Sequence, residues 1–90
     1  MTATPRRRRD ESDLVLLELV RLSSIKSWNR QHAARALLAK QHTAGALRLA
    51  RARVQRARVH APSRIADRAA ATLGTALTVH DQRQPSGRHP

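Results

Sequence analysis

The fold of this chain is decided by residues 43–61, which read TAGALRLARARVQRARVHA. Apolar side chains recur here with alternating spacings of three and four residues, at Leu47, Ala50, Val54, Ala57 and Ala61. That spacing puts them on one face of an α-helix, in the a and d pattern of helices that pack along their length. Because alanine is small, a second helix can approach this face closely. We therefore expect a helix over about 43–61 that packs through this seam.

Composition extends the helical prediction to the whole chain. The 90 residues contain one aromatic side chain, Trp28, and no cysteine. Their apolar share is dominated by alanine and leucine, which favour helices over strands. A chain of this length forms one domain with a thin core. We predict an all-α fold, a small bundle of three or four helices.

Helix boundaries follow from capping residues and helix breakers. Aspartate, serine, asparagine and threonine accept hydrogen bonds from the free N–H groups at a helix start, and proline ends a helix. These signals predict helices at about 12–26, 29–41, 43–61 and 63–79, within a single domain over 10–80. The flanking segments are charged or rich in helix breakers. They are predicted to be a disordered basic arm, 1–9, and a disordered tail, 81–90.

The first predicted helix is apolar around nearly its whole circumference. Such a helix is buried or forms half of an oligomer interface, and so short a chain offers little to bury it. We predict a homodimer formed through this helix and through the seam of residues 47–61. The residues assigned to the dimer interface or the core are Leu14, Leu16, Leu17, Val20, Trp28, Leu47 and Val54.

Positive charge is concentrated in the second half of the chain. Between Ser27 and His80 there are ten Lys/Arg residues against one acidic residue, Asp67, and the whole chain carries +12. A folded surface with so little counter-charge repels itself unless a polyanion supplies the missing charge. We predict a nucleic-acid partner, with phosphate contacts from Arg48, Arg51, Arg53, Arg56, Arg58, Arg64 and Arg68. A flexible arm on the same partner is expected from Arg6, Arg7, Arg8 and Arg9.

The last helical segment, 63–80, begins SRIADRAAATLGTALTV. It resembles a helix-turn-helix DNA-binding motif through Ile65, Ala66, Ala69, Thr72, Thr75 and Val79. It departs from that motif at Ala70 and Ala71, where the turn favours glycine followed by valine, and at Gly74 in the second helix. The resemblance implies a transcriptional regulator that binds DNA rather than RNA, with possible base-facing residues Thr72, Thr75 and Thr78. The alternative is one amphipathic helix packed on the others, which leaves a nucleoid-type or ribosome-associated role open.

A protein-interaction role is the main alternative to nucleic-acid binding. The stretches RALLAKQHTAGAL and AAATLGTAL align Leu38 with Leu73, and their separation of about 35 residues is similar to the period of tetratricopeptide repeats. On this interpretation the chain is a tetratricopeptide-like or coiled-coil module whose arginines dock on an acidic protein. A further alternative is an unselected reading frame in GC-rich DNA, which would also be rich in arginine and alanine.

Catalytic and metal sites find no support in the sequence. The five histidines are widely spaced, and no catalytic motif or glycine-rich phosphate loop is present. We predict no enzyme activity, no catalytic or metal-ligating residue, no cofactor and no small-molecule substrate. No apolar run is long enough to cross a membrane, so we expect a cytoplasmic protein without membrane contact. The excess of arginine over lysine favours a bacterial or phage source and association with the nucleoid.

Overall fold

The computed structural model describes residues 10–83, and within that range the chain forms four helices and no strand. Their bounds are α1 Glu11–Ser23, α2 Arg30–Leu38, α3 Ala44–His60 and α4 Arg64–Arg83. The all-α bundle is confirmed, and no predicted helix end is displaced by more than four residues. The predicted arm, with Arg6 to Arg9, and residues 84–90 of the predicted tail lie outside the described residues.

Each helix begins at a polar side chain that accepts a hydrogen bond from a free backbone N–H. Asp10 Oδ1 accepts from the Asp13 N–H at 3.0 Å, and Asp13 Oδ2 accepts from the Asp10 N–H at 3.3 Å, which completes a capping box. The other three helices are capped by Asn29, Thr43 and Ser63. Because each such cap is worth about 1 kcal/mol, the helix starts are fixed locally by the sequence.

Three helix ends differ from the prediction by three or four residues. α1 ends at Ser23 rather than at about residue 26. α2 stops at Leu38 because residues 39–41 form a turn, which closes at Gln41 with a left-handed φ of 59°. α4 runs on to Arg83, so residues 81–83, predicted to open a disordered tail, are helical. The additional turn brings the acidic side chain at position 81 alongside α3, where it forms an ion pair described below.

α1 and α4 each contact all three other helices of the described range, and α4 makes the more extensive contacts with α2 and α3, which do not contact each other. On α4 the buried apolar face consists of Ala69, Leu73, Ala76 and Leu77. The other three helices complete the core with Val15, Leu19, Ala34, Leu37, Ala46, Leu47, Ala50 and Val54. Five of these twelve core residues are alanine. The helices can therefore approach closely, but each alanine buries little apolar surface.

The α3 seam packs inside the chain rather than against a second copy. Leu47, Ala50 and Val54 are buried in the core, beneath the contacts that α3 makes with α1 and α4. Leu47 and Val54 therefore belong to the core of one copy, and the buried part of this seam is not accessible to a second copy of the folded chain. Ala57 and Ala61, near the end of α3, remain exposed.

α1 buries only one of its faces. Val15 and Leu19 lie in the core, whereas Leu14, Leu17 and Val20 are each about half exposed. These three residues were assigned to the dimer interface or the core, and within one copy of the chain they are not core. Leu16, also in that set, packs against the edge of the core.

α4 is one unbroken helix, so the helix-turn-helix interpretation of residues 63–80 is wrong. A turn at Ala70 and Ala71 would divide the segment, yet the helix passes through both positions without interruption. Thr72, predicted to face bases, is fully buried, and its Oγ1 accepts a hydrogen bond from Trp28 Nε1 at 3.3 Å. Because the Thr72 side chain lies inside the bundle, it cannot face bases in a DNA groove.

The two similar stretches of sequence are not a structural repeat. Leu38 is the last residue of α2, whereas Leu73 lies in the middle of α4. Equivalent positions of a repeat would occupy equivalent points in paired helices. The alignment therefore gives no support to a tetratricopeptide-like architecture.

Replacing Gly74 with alanine should stabilise the protein by about 0.5–1 kcal/mol. Gly74 lies in the interior of α4, and a Cβ placed there meets no atom within 4 Å, so the substitution gains helix propensity without a clash. Urea unfolding followed by circular dichroism measures the change. A loss of stability would contradict a continuous helix at this position.

Candidate polyanion interface

Arg53 ties α3 to the start of α1. Its Nη1 donates to Asp13 Oδ1 at 2.7 Å and to Ser12 Oγ at 3.0 Å. Ser12 is buried and donates in turn to Asp10 Oδ1 at 2.8 Å, so one guanidinium, one hydroxyl and two carboxylates form a network at the α1 N-terminus. Arg53 was predicted to contact phosphate, but its side chain already has an anionic partner in the chain.

Arg48 and Arg58 join α3 to α4. Arg48 Nη2 lies 3.3 Å from Asp81 Oδ1, and Arg58 Nε lies 3.0 Å from Asp67 Oδ1. All four side chains are substantially solvent-exposed, so each pair contributes at most about 1 kcal/mol to stability. Each pair nevertheless neutralises an arginine that was predicted to contact phosphate.

Arg68 is held by the loop between α1 and α2. Its Nη1 donates to the Ser23 carbonyl at 3.0 Å and to the Ile25 carbonyl at 3.3 Å. Its guanidinium also lies 5.1 Å from the centroid of the Trp28 ring, within range of a cation–π interaction. Arg68 and Trp28 therefore fasten this loop to α4. The predicted phosphate contact of Arg68 is replaced by this structural role.

The remaining acidic side chains of residues 10–83 also have partners in the chain. Glu18 pairs with Arg21 at 3.5 Å along α1. Glu11 reaches the loop between α2 and α3, where Oε2 accepts from the Thr43 N–H at 2.9 Å and lies 3.2 Å from His42 Nδ1. Its other oxygen, Oε1, accepts from the Thr43 hydroxyl at 2.9 Å.

These contacts perturb the ionisation of two carboxyl groups. The two hydrogen bonds from Thr43, with a smaller effect of His42, hold the pKa of Glu11 below its ordinary value of 4.5. The Ser12 hydroxyl and the Asp13 N–H likewise hold the pKa of Asp10 below its ordinary value of 3.8. Both groups are therefore ionised at neutral pH and anchor helix ends as charged acceptors.

Cationic side chains outnumber these acceptors. Residues 10–83 contain thirteen Lys/Arg and six Asp/Glu, a net charge of +7. Four arginines pair with carboxylates and Arg68 binds carbonyls, so eight of the thirteen remain. Those eight have no ion pair or hydrogen bond through their side chains to another described residue: Lys26, Arg30, Arg35, Lys40, Arg51, Arg56, Arg64 and Arg83.

Half of these unpaired cations belong to α2 and the loops beside it. Residues 24–43 contain Lys26, Arg30, Arg35 and Lys40 and no acidic residue. The carboxylate that touches this segment is Glu11, at its far end. All four cationic residues are exposed. Together with Gln31 and Arg83 we call them the α2 surface.

A cleft between α2 and the second half of α4 gives the α2 surface its shape. The cleft has a volume of about 100 Å³ and its polar lining consists of Gln31, Arg35, Thr75 and Arg83. Arg83 also borders a neighbouring hollow of about 300 Å³ with Gln41. Two guanidinium groups, an amide and a hydroxyl thus face one concave surface with no carboxylate in its lining. Arginine forks and neutral donors are the groups that bind phosphate oxygens.

The predicted base-facing threonines are dispersed by the fold. Thr75 lines the cleft beside Arg83, whereas Thr78 is exposed and donates its hydroxyl to the Gly74 carbonyl at 3.0 Å. Thr72 is buried, as described above. The structure therefore brings one of the three to the candidate interface.

Three of the predicted phosphate-binding arginines are unpaired but lie away from the α2 surface. Arg51 and Arg56 are exposed on α3, and Arg64 is exposed at the start of α4. The sequence prediction favoured α3 because its arginines are dense, and it did not include Arg35. A usable signal was present in the 20 residues from 24 to 43, which contain four cations and no acid.

Other classes of site receive no support from residues 10–83. No group of three or more His, Asp or Glu side chains in this range could hold a metal ion. None of the described helices combines the length and the apolar character needed to cross a membrane.

Comparison with known proteins adds no family: no family model matches the chain, and neither does any curated protein or solved structure. Function is therefore inferred from the surface of this chain alone.

Replacing Glu11 with glutamine should lower stability at neutral pH and matter less in acid. Because the folded-state pKa of Glu11 is depressed, its ionised form stabilises the fold above the ordinary value of 4.5, and this contribution is lost as the pH falls through the lowered pKa. Urea midpoints measured from about pH 7 to about pH 3 should therefore differ most at pH 7 and converge in acid.

The matched control is Glu18→Gln, which removes a pair within α1 rather than a link between helices. It should change the free energy of unfolding by only about a few tenths of a kcal/mol. Equal pH profiles for the two variants would contradict the role of Glu11 as the anchor of the α2–α3 loop.

Proposed function

We propose that this protein binds nucleic acid through its phosphate backbone, and that the α2 surface makes the contact. The observation that carries the proposal is the distribution of partners. The carboxylates of residues 10–83 accept hydrogen bonds at helix starts or pair with side chains that hold the bundle together. The five cations of the α2 surface therefore have no carboxylate partner among these residues. A polyanion supplies the charge that the fold does not.

Electrostatics favours this assignment over a merely solvated charged face. Solvated faces normally mix signs, as α1 does here, whereas residues 24–43 carry only positive charge. Binding releases counterions condensed on the nucleic acid, which drives association in a way that depends steeply on salt. Arginine adds bidentate hydrogen bonds to phosphate oxygens.

Contacts to the backbone of a duplex suit the surface better than contacts to bases. Proteins that bind single strands stack bases on aromatic rings, but the one aromatic side chain, Trp28, lies against Arg68 and donates to Thr72. Residues 63–80 belong to one continuous helix, α4, so they do not supply the separate recognition helix of a helix-turn-helix. We therefore propose binding with little sequence preference, as in a nucleoid-type protein of the cytoplasm.

An acidic protein is the alternative partner for the same surface. It would match the charge but offer no regular array of phosphates. Binding to a generic DNA duplex therefore distinguishes a nucleic-acid-binding protein from a helical module that binds an acidic protein.

Titration of a generic DNA duplex over a range of salt concentrations tests the proposal. With about five phosphate contacts, one for each cation of the α2 surface, the logarithm of the binding constant should fall against the logarithm of salt concentration with a slope of about −4.5. Absence of binding at about 50 mM salt would overturn nucleic-acid binding and leave an acidic protein as the better partner.

The double variant Arg35→Gln/Arg83→Gln locates the interface. Loss of two phosphate contacts should weaken binding at least about tenfold and make the slope shallower by about 2. The matched control is Arg51→Gln/Arg56→Gln, which removes the same charge from unpaired arginines on α3 and should have the smaller effect. If the α3 pair has the larger effect, the assignment to α2 is wrong.

A further inference from the structure

α1 presents an apolar ridge to solvent. Leu14, Leu17 and Val20 are 47%, 46% and 52% exposed, and their spacing of three residues places them along one side of the helix. Single exposed apolar residues are ordinary on protein surfaces, but contiguous ones mark interaction sites. Leu49 on α3 illustrates the ordinary case, since it is 50% exposed but has no other exposed large apolar residue one helical turn away.

A groove of small side chains runs beside this ridge. It has a volume of about 410 Å³, and Leu16 and Val20 of α1 form one wall. Ala57 and Ala61 of α3, with Ile65 and Ala66 of α4, are also among its lining residues. The groove opens where α3 ends and the chain turns through residues 61–63 into α4. Four of its eleven lining residues are alanine, which leaves room for an apolar side chain, and the Arg53 guanidinium in the lining is already paired with Asp13.

Charge identifies the occupant of this face. The acidic residues Glu11, Asp13 and Glu18 lie on α1 beside a single arginine, Arg21, so this helix is negative in a chain of +12. Near the ridge, Asp13 forms an ion pair with Arg53, and Glu18 forms one with Arg21, so the charges there cancel within one copy of the chain. Two copies of the chain repel each other least when they meet through α1, and a nucleic acid is not attracted to this face.

We infer that two copies of the chain form a dimer through α1, in which the ridge of each copy lies in the groove of the other. Ridge and groove lie side by side on one face, which is the arrangement that a two-fold interface requires. The interface thus uses the half-exposed residues of α1 and the exposed end of α3, and not the buried part of the α3 seam.

The dimer has a consequence that rests on the proposed function. Two α2 surfaces on one particle can engage the same nucleic acid, and the second contact forms at a high effective concentration. Dimerisation itself is measured without nucleic acid, so failure of one proposal leaves the other standing.

Sedimentation equilibrium of the full chain and of Leu17→Glu tests the inference. The wild type should change from monomer to dimer over about 5–500 µM, and Leu17→Glu should weaken the dimer at least about tenfold, since it places two new charges in the interface. The new glutamate lies four residues before Arg21, which favours the helix, and circular dichroism checks that the variant is folded.

Leu49→Glu is the matched control. It changes the same residue type at nearly the same exposure and lies outside the groove lining. Urea unfolding checks that its glutamate, four residues before Arg53, leaves the Arg53–Asp13 pair intact. It should leave the dimer constant unchanged. A wild type that remains monomeric at about 500 µM, or a control that dissociates as readily as Leu17→Glu, overturns the inference.

A second pair of variants tests the groove separately from the ridge. Ala57→Glu places a charge in the groove at an exposed position, and Ala52→Glu places the same charge at an exposed position of α3 outside the groove lining. The first should weaken the dimer at least about tenfold and the second should not. If only ridge variants dissociate the dimer, the groove is not its binding surface.

Discussion

A shortage of carboxylates governs how this chain folds and what its surface can do. Residues 10–83 have six acidic side chains for thirteen cationic ones, and each of the six has a structural partner. Asp67 and Asp81 bind the two ends of α3 to α4, Asp13 binds α3 to α1, and Glu11 holds the α2–α3 loop. Since none is left for α2, the excess positive charge is concentrated there.

The thin core makes these polar links more important than they would be in a larger domain. Five of the twelve core residues are alanine, so apolar burial stabilises each helix contact only modestly. The ion pairs and hydrogen bonds that join different helices lie at the edges of this core. The molecule thus has three distinct regions: the buried face of α4, the cationic α2 surface, and α1, where charges of both signs surround an apolar ridge.

The fold was largely predictable from the sequence because its signals are local. Caps at Asp10, Asn29 and Thr43 lie within three residues of the N–H groups they bind. The candidate site was not predictable in the same way. Asp13 and Arg53 are 40 residues apart, and nothing in the local sequence shows that they meet. Consequently, the density of arginine on α3 was a poor guide to free charge, whereas the burial of Thr72 agrees with the simpler interpretation of residues 63–80 as one amphipathic helix.

The response of stability to salt tests most directly whether the surface charge is uncompensated. Raising NaCl from about 20 to about 200 mM shortens the screening length about threefold, which weakens both the exposed ion pairs and the repulsion among unpaired cations. If repulsion dominates, the thermal midpoint of the free protein rises over this range. A midpoint that stays constant or falls would mean that the chain neutralises its own charge, and the basis for a polyanion partner would be lost.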